Sequence, residues 1–298
     1  MSTLSFSVVV PTRNRPAQLA RCLASLARLD YPRESYDVVV VDDGGETDLR
    51  GVVQGMDQRV RATCVRVSHG GPAAARNAGV AESTGEFIAF TDDDCAVDPE
   101  WLRRLADRFS RTRGIVVGGR VVNALASNRY SSASQGLQDF LYRWYHEERG
   151  GELRFFTTNN LALSRSDFES LGGFDETFTF ASEDRDLSDR AIAAGLALVY
   201  APEAVVHHAH ELGLGDFLRQ HYQYGKGAVH FRSKRRARRK SGVRLEPPAF
   251  YYEMLASPFK AGSTQPLVGS LLLLASQSAL LAGAATRAAT LALGGGRA

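Results

Sequence analysis

Residues 92–94 are three consecutive carboxylates, Asp92, Asp93 and Asp94, set directly after the apolar run 87–91. Packed carboxylates at a strand end repel one another, so a counter-charge must hold them together. A hard divalent cation, Mg2+ or Mn2+, meets that need, because it takes oxygen ligands and keeps open positions for phosphate oxygens. Taken alone, the triplet also reads as a solvated acidic loop or a helix cap. Its neighbourhood favours the cation. Segment 71–79, GPAAARNAG, opens a helix beside the same sheet edge, where Arg76 comes within reach of an anionic diphosphate. Farther on, Ser182-Glu183-Asp184-Arg185-Asp186-Leu187 gathers acids at the start of a helical stretch. The helix dipole favours acids there, and Asp186 has Arg190 one turn ahead as a partner. A carboxylate so placed is also able to take a proton from an attacking hydroxyl.

These residues need a frame. Residues 7–10 form a short β-branched run halted by Pro11, and 36–41 (YDVVVV) form another. Continuous apolar runs of this kind suit parallel strands covered on both faces. Between them Pro16 fits a first helical turn, and Leu19, Cys22, Leu23, Leu26 and Leu29 recur at helical spacing. A third run, 63–67, precedes a helix over 73–82, and a fourth strand covers 87–91. Asp98 then caps a helix with the apolar stripe Leu102, Leu105, Ala106 and Phe109. Strand and helix in alternation predict an α/β fold with a mostly parallel sheet, right-handed crossovers and flanking helices. Ligands of such sheets bind beyond the carboxyl ends of the strands. Those ends carry Pro11-Thr12-Arg13, Asp42-Asp43 and Asp92–Asp94. After 115–122 the pattern is less regular: a helix over 130–148, a strand over 155–163, a helix over 187–194, and another from 213 through Tyr224.

Six segments, VVVPTRNR, VVVVDDGG, GPAAARNAG, TGEFIAFTDDD, GGFDE and SEDRDLSDR, stand in the order found in family 2 glycosyltransferases. From residue 5 to about 210 the chain resembles that family. The resemblance implies a GT-A (Rossmann-like) fold, a nucleotide-sugar donor with UDP as the commonest nucleotide, and inversion at the anomeric carbon. It places Pro11, Thr12 and Arg13 in the nucleotide site, Asp42 or Asp43 at the base, and Arg76 and Asn77 near the ribose and diphosphate. It makes Asp92 and Asp94 the metal-binding aspartates, with Asp93 between them on the donor side, and Asp184 the catalytic base. A histidine from the segment 207–210 completes the metal site in some relatives. In an extended chain His208 and His210 share one face, and His208 is the choice for the third ligand. Asn160, Gly173 and Glu183 fall in the acceptor region. One departure is Gly45, where the family usually has serine.

The predicted organisation is a catalytic domain over 1–212, with a nucleotide-sugar half to about 122 and an acceptor half beyond it. A mainly helical extension, 213–298, follows. Net charge is +3, yet nine basic side chains and no acid lie between residues 226 and 244, so removing that stretch leaves −6. Next, 267–286 is a run of twenty residues without a charge. The two together predict attraction to an anionic membrane surface, the apolar stretch either spanning it, lying on it or packing on the domain. Nucleic-acid binding is disfavoured, since no recognised binding module accompanies the basic run. Cys22, Cys64 and Cys95 are too few and too scattered for a disulfide framework or zinc knuckle, which fits a reducing compartment. The apolar stretch near residue 7 is short and lacks a basic segment before it, so the expected place is the cytoplasmic side, peripheral or C-terminally anchored at the inner face of the cell membrane. The expected acceptor is a saccharide or lipid-linked hydroxyl in cell-surface glycan synthesis; oligomer formation stays open. Two rivals are weaker. A sugar-phosphate nucleotidyltransferase would carry a glycine-rich loop after the first strand, and a catalytically silent sugar-nucleotide-binding module would not need Asp92, Asp94 and Asp184.

Overall fold

The computed structural model describes residues 3–56, 60–146, 155–239 and 246–294. Strands are β1 (Phe6–Thr12), β2 (Tyr36–Asp43), β3 (Arg61–Val67), β4 (Phe87–Phe90), β5 (Cys95–Val97), β6 (Ile115–Asn123), β7 (Leu161–Ser164) and β8 (Ala197–His208). Helices are α1 (Pro16–Leu26), α2 (Arg50–Gln54), α3 (Pro72–Ala81), α4 (Trp101–Arg111), α5 (Arg129–His146), α6 (Arg165–Ser170), α7 (Glu183–Ala193), α8 (Leu214–Arg239), α9 (Pro248–Lys260) and α10 (Pro266–Gly294). The chain divides into two compact units, one of Met1–Val122, Arg154–Thr179 and Glu183–Ala209, the other of Asn123–Leu153, Phe180–Ser182 and His210–Ala298.

The first unit is built on one sheet in the order β3-β2-β1-β4-β7-β6-β8-β5. The β-branched runs behave as their composition dictates. Val8, Val9 and Val10 in β1 and Val38 to Val41 in β2 are all buried, since helices cover both faces of these parallel strands. From α1 the stripe Leu19, Cys22, Leu23 and Leu26 enters the same core. On the other face α3 lies close to the sheet because Gly79 has no side chain; a Cβ there would collide with Val9 and Val41.

Parallel pairing covers β3-β2-β1-β4. Beyond β4 the sheet turns antiparallel: β7 pairs with β4 and with β6, and β5 pairs with β8. The strand expected over 155–163 is shorter. Only Leu161–Ser164 is extended in the sheet, because Thr158–Asn160 form a tight helical turn. Short polar side chains compete with the ladder at such places, and Thr157 Oγ1 donates to Asn159 Oδ1 at 2.8 Å.

The second unit is helical. Phe140 and Trp144 of α5 meet Phe250 of α9 with ring centres 5.1 and 5.4 Å apart. Helix α8 continues well past Tyr224. Gly225 sits inside it where α10 passes backbone against backbone, and a Cβ there would strike the Leu280 carbonyl. Gly225 is therefore a packing position.

Candidate active site

The carboxyl ends of β2, β1 and β4 lie side by side. Asp93, the most enclosed of the triplet, accepts from Thr12 Oγ1 at 2.7 Å and from Arg15 Nη1 at 3.2 Å. Burial pushes its carboxyl up to about 6; Thr12 and Arg15 oppose that rise, and the charges of Asp94 and Asp92 add to it. Arg15 Nη1 also stands 3.3 Å from Asp94 Oδ2.

Pairing of β5 with β8 sets Cys95 opposite His208. As a result His208 Nε2 comes 3.2 Å from Asp94 Oδ1. The ligand atoms of Asp94, Cys95 and His208 all lie within 4.8 Å of one another. Burial alone would lower the proton affinity of His208, but its hydrogen bond to Asp94 and the charge of that carboxylate outweigh it, and the net shift is upward. Cys95 is a different kind of group. Burial raises its thiol well above the ordinary range, so it stays protonated and is a poor partner for a hard cation. Asp94 oxygen with His208 nitrogen suits a divalent ion such as Mn2+.

Asp92 Oδ1 is 2.8 Å from Arg76 Nη2, and the other terminal nitrogen, Nη1, is 2.9 Å from Glu183 Oε1. Arg76 is 3% exposed. The sequence reading places this guanidinium at the donor diphosphate. Here both terminal nitrogens meet carboxylates, because α3 buries its sheet-facing side. Arg15, also beside the triplet, has half its side chain open to solvent. Sequence reasoning passed over it, although it closes the same VVVPTRNR segment as Arg13.

At the start of α7 the Arg185 N–H donates to Asp184 Oδ1 at 2.7 Å. Burial pushes the Asp184 carboxyl up to about 7, and the adjacent Glu183 adds to the rise against Arg185 and Arg76. Glu183 Oε2 is buried without a hydrogen-bond partner. Farther along α7, Asp186 accepts from Arg190 Nε at 2.8 Å, and Arg190 Nη2 reaches the Gly173 carbonyl at 2.7 Å. Gly173 needs its left-handed φ of +68°, and a Cβ there would press on Asn77 Oδ1.

Asn77 is bonded within the chain as well. Its Nδ2 donates to the Phe174 carbonyl and to Glu176, its Oδ1 accepts the Phe174 N–H, each at 2.9 Å, so it holds the glycine turn. Asn160, read as an acceptor-site residue, is 1% exposed. Its Oδ1 accepts from Trp101 Nε1 and its Nδ2 donates to the Arg120 and Ala204 carbonyls, all at 2.9 Å. It is a bracket inside the sheet.

At the opposite end, Asp42 Oδ1 accepts the Gly45 N–H at 2.9 Å. A Cβ at Gly45 would lie 2.7 Å from that same oxygen and 2.8 Å from Asn14 Oδ1, which accounts for glycine at this position. Asp43 binds His69 Nδ1 at 2.8 Å and accepts the Gly70 and Gly71 N–H groups. His69 Nε2 is in turn 3.4 Å from Arg13 Nη1. Pro11 lies in β1 opposite Val41. The sequence reading missed His69, which no motif marks.

A half-parallel sheet with acids at the carboxyl ends of β2 and β4, and a second acidic segment opening α7, defines a GT-A fold. Residues 7–172 match the profile of Glycosyl transferase family 2, and the chain belongs to that family. It is 32% identical over 231 residues to the pre-mycofactocin glycosyltransferase of Mycobacterium tuberculosis, covering 75% of this chain and 46% of that protein, so it spans about half the relative's length. With the succinoglycan biosynthesis protein ExoM of Rhizobium meliloti it shares 33% identity over 216 residues, 69% of this chain and 67% of that one. Among solved structures, a mannosyltransferase of Pyrobaculum calidifontis in complex with GDP-Man and Mn2+ superimposes with a TM-score of 0.62 at 20% identity, covering 99% of this chain and 81% of that chain. That likeness is one of fold.

Proposed function

We propose that this chain moves a sugar, with inversion, from a nucleoside-diphosphate donor (a UDP-sugar in the first instance) to a hydroxyl of a saccharide or lipid-linked acceptor in cell-surface glycan synthesis. One observation carries the reading. Asp184, with its carboxyl raised to about 7, is joined through neighbouring Glu183 and buried Arg76 to Asp92 of the triplet. A carboxylate poised near neutral pH is matched to general-base work. Ionised Asp184 takes the proton from the acceptor hydroxyl as the hydroxyl attacks the anomeric carbon. Asp94 and His208, with Asp92, would hold Mg2+ or Mn2+. Bound there, the ion supplies Lewis-acid neutralisation of the departing diphosphate. Arg15 presents a second positive charge on the solvent side. Thr12 fixes the rotamer of Asp93, and Asp42, Asp43, Pro11 and Arg13 form the nucleotide end. Glu183 and Gly173 border the acceptor. The Pyrobaculum mannosyltransferase, solved with GDP-Man and Mn2+, supports the donor class and the metal.

In this reading residues 1–212 do the chemistry, and 213–298 bring it to the cytoplasmic face of an anionic membrane. Pro266–Ala292, 27 residues of mean hydropathy 1.7, is long and apolar enough to engage a bilayer. A thermal-shift panel of nucleotide sugars, with and without Mn2+, tests the donor, since a true ligand stabilises the fold by mass action. The expected result is a metal-dependent shift with one nucleotide family, and β-linked product from an α-linked donor. Equal shifts without metal, or retention of configuration, would overturn the reading.

A further inference from the structure

The apolar C-terminal helix has the length and composition of a membrane span, but its partner does not. Leu272 of α10 packs against the cluster that holds Phe217 of α8. Gly225 of α8 meets Leu280 and Ala284. His230 Nδ1 lies 3.3 Å from Arg287 Nη2. Residue numbers rise together along both helices, so α8 and α10 run parallel. At 1.5 Å per residue the shared length is about 20 Å, two thirds of a hydrocarbon core of roughly 30 Å. Gly225 and Gly283 bring the backbones together at the middle of this contact, where a Cβ on either would strike the other helix. The pair is therefore a built interface.

Over that length α8 carries Asp216, Arg219 and Lys226, and Arg232 to Arg239 follow at once. Asp216 and Arg219 are exposed. If α10 crossed the bilayer, these charges would enter hydrocarbon beside it, where ionised side chains are strongly disfavoured. Meanwhile Leu267, Leu271, Leu274 and Leu281 recur on one face of α10 and are all more than half exposed. An apolar stripe beside a basic helix is the make-up of an in-plane interfacial element.

Resting on the membrane reading above, we infer that α8 and α10 form a helix pair that lies on an anionic phospholipid surface and that α10 does not span it. The leucine stripe enters the acyl boundary, and the basic end of α8 meets the headgroups. The occupant is lipid by charge complementarity: the stretch from Lys226 through Arg239 carries seven basic residues and no acidic one, and an anionic leaflet attracts such a run.

Topology is tested on the full chain in a Cys64→Ser background, which leaves only the buried Cys22 and Cys95, with one cysteine added at a time: Ser263→Cys just before α10, or Thr290→Cys near its end. Membranes from expressing cells are prepared inside-out and right-side-out and treated with a membrane-impermeant maleimide. Both cysteines should label in inside-out vesicles and neither in right-side-out ones. Labelling of the two from opposite faces would show a spanning helix and overturn this inference while leaving membrane attachment intact. Binding to phosphatidylcholine vesicles with and without phosphatidylglycerol is measured alongside; the anionic lipid should raise the bound fraction at least tenfold. No binding to either vesicle would overturn the membrane reading itself. A dimer that Leu271→Ser dissociates, with no vesicle binding, would assign the stripe to a second copy and overturn the lipid assignment.

Discussion

Arg76 Nη1 stands 2.9 Å from Glu183 Oε1, while Nη2 of the same guanidinium stands 2.8 Å from Asp92 Oδ1. One buried cation thus holds together an acid that follows β4 and an acid that opens α7. Removing one partner of a buried ion pair leaves the others charged and uncompensated, which costs about 3–5 kcal/mol. Arg76→Met should lower unfolding free energy by an amount in that range, read by urea denaturation. Arg76→Lys should recover only part of it, because an ammonium lacks the planar fork that reaches two carboxylates. Unchanged midpoints in both variants would show that the clasp contributes nothing.

Asp184→Asn keeps the shape of the side chain and removes its basicity. Transfer should fall by roughly 10²–10⁴, the usual effect of losing a general base, while nucleotide affinity by calorimetry stays within a few-fold. Near wild-type turnover would move the base elsewhere, with Glu183 next in line.

Burial sets the pH dependence. With the Asp184 carboxyl at about 7, kcat/KM should drop about tenfold per pH unit below that value and level off above it. In Asp184→Asn this limb should disappear. Stability runs the other way. The folded state holds this proton more tightly than the unfolded chain, whose carboxyl has the ordinary value of about 3.9. Its contribution to stability is therefore full below about pH 4 and is lost as pH rises through 7. Thermal melts of wild type and Asp184→Asn across pH 4–8 should diverge in that sense.

Asp94 and His208 share the proposed metal position. Asp94→Ala should abolish Mn2+-dependent donor binding, and His208→Ala should weaken it beyond the roughly 10–100-fold typical of losing an outer-shell partner. Chelation of wild type should reproduce the Asp94→Ala thermal profile. Mn2+-dependent affinity that survives in Asp94→Ala would sink the assignment.

Asn160→Ala separates bracket from binder. It strands Trp101 Nε1 and two carbonyls, and each buried orphan costs about 1–3 kcal/mol. Melting temperature should fall while KM for the acceptor holds. The reverse pattern would restore Asn160 to the acceptor site.

Much of this protein was legible in local chemistry. The β-branched runs of β1 and β2 and the apolar run of β4 declare buried strands because side-chain shape and burial act residue by residue, and the acids at the ends of β2 and β4 follow from where those runs stop. The start of α7 is equally local, since acids favour a helix N-terminus. What no stretch of sequence reveals is which side a polar group faces once helices and strands are packed. Arg76 reads as a cation near the diphosphate, and packing of α3 sets both its terminal nitrogens on carboxylates; Asn77 and Asn160 read as site residues, and a turn and a strand junction engage their amides. His208 is the sharpest case. Its distance to Asp94 depends on β8 pairing antiparallel with β5 in one register, between segments more than a hundred residues apart. Slipping that register by one residue would point the imidazole to the other face of the sheet. The tertiary structure also decided the role of Gly225 and Gly283, which let the backbones of α8 and α10 meet. Composition and periodicity act over a few residues; burial and register are properties of the packed whole.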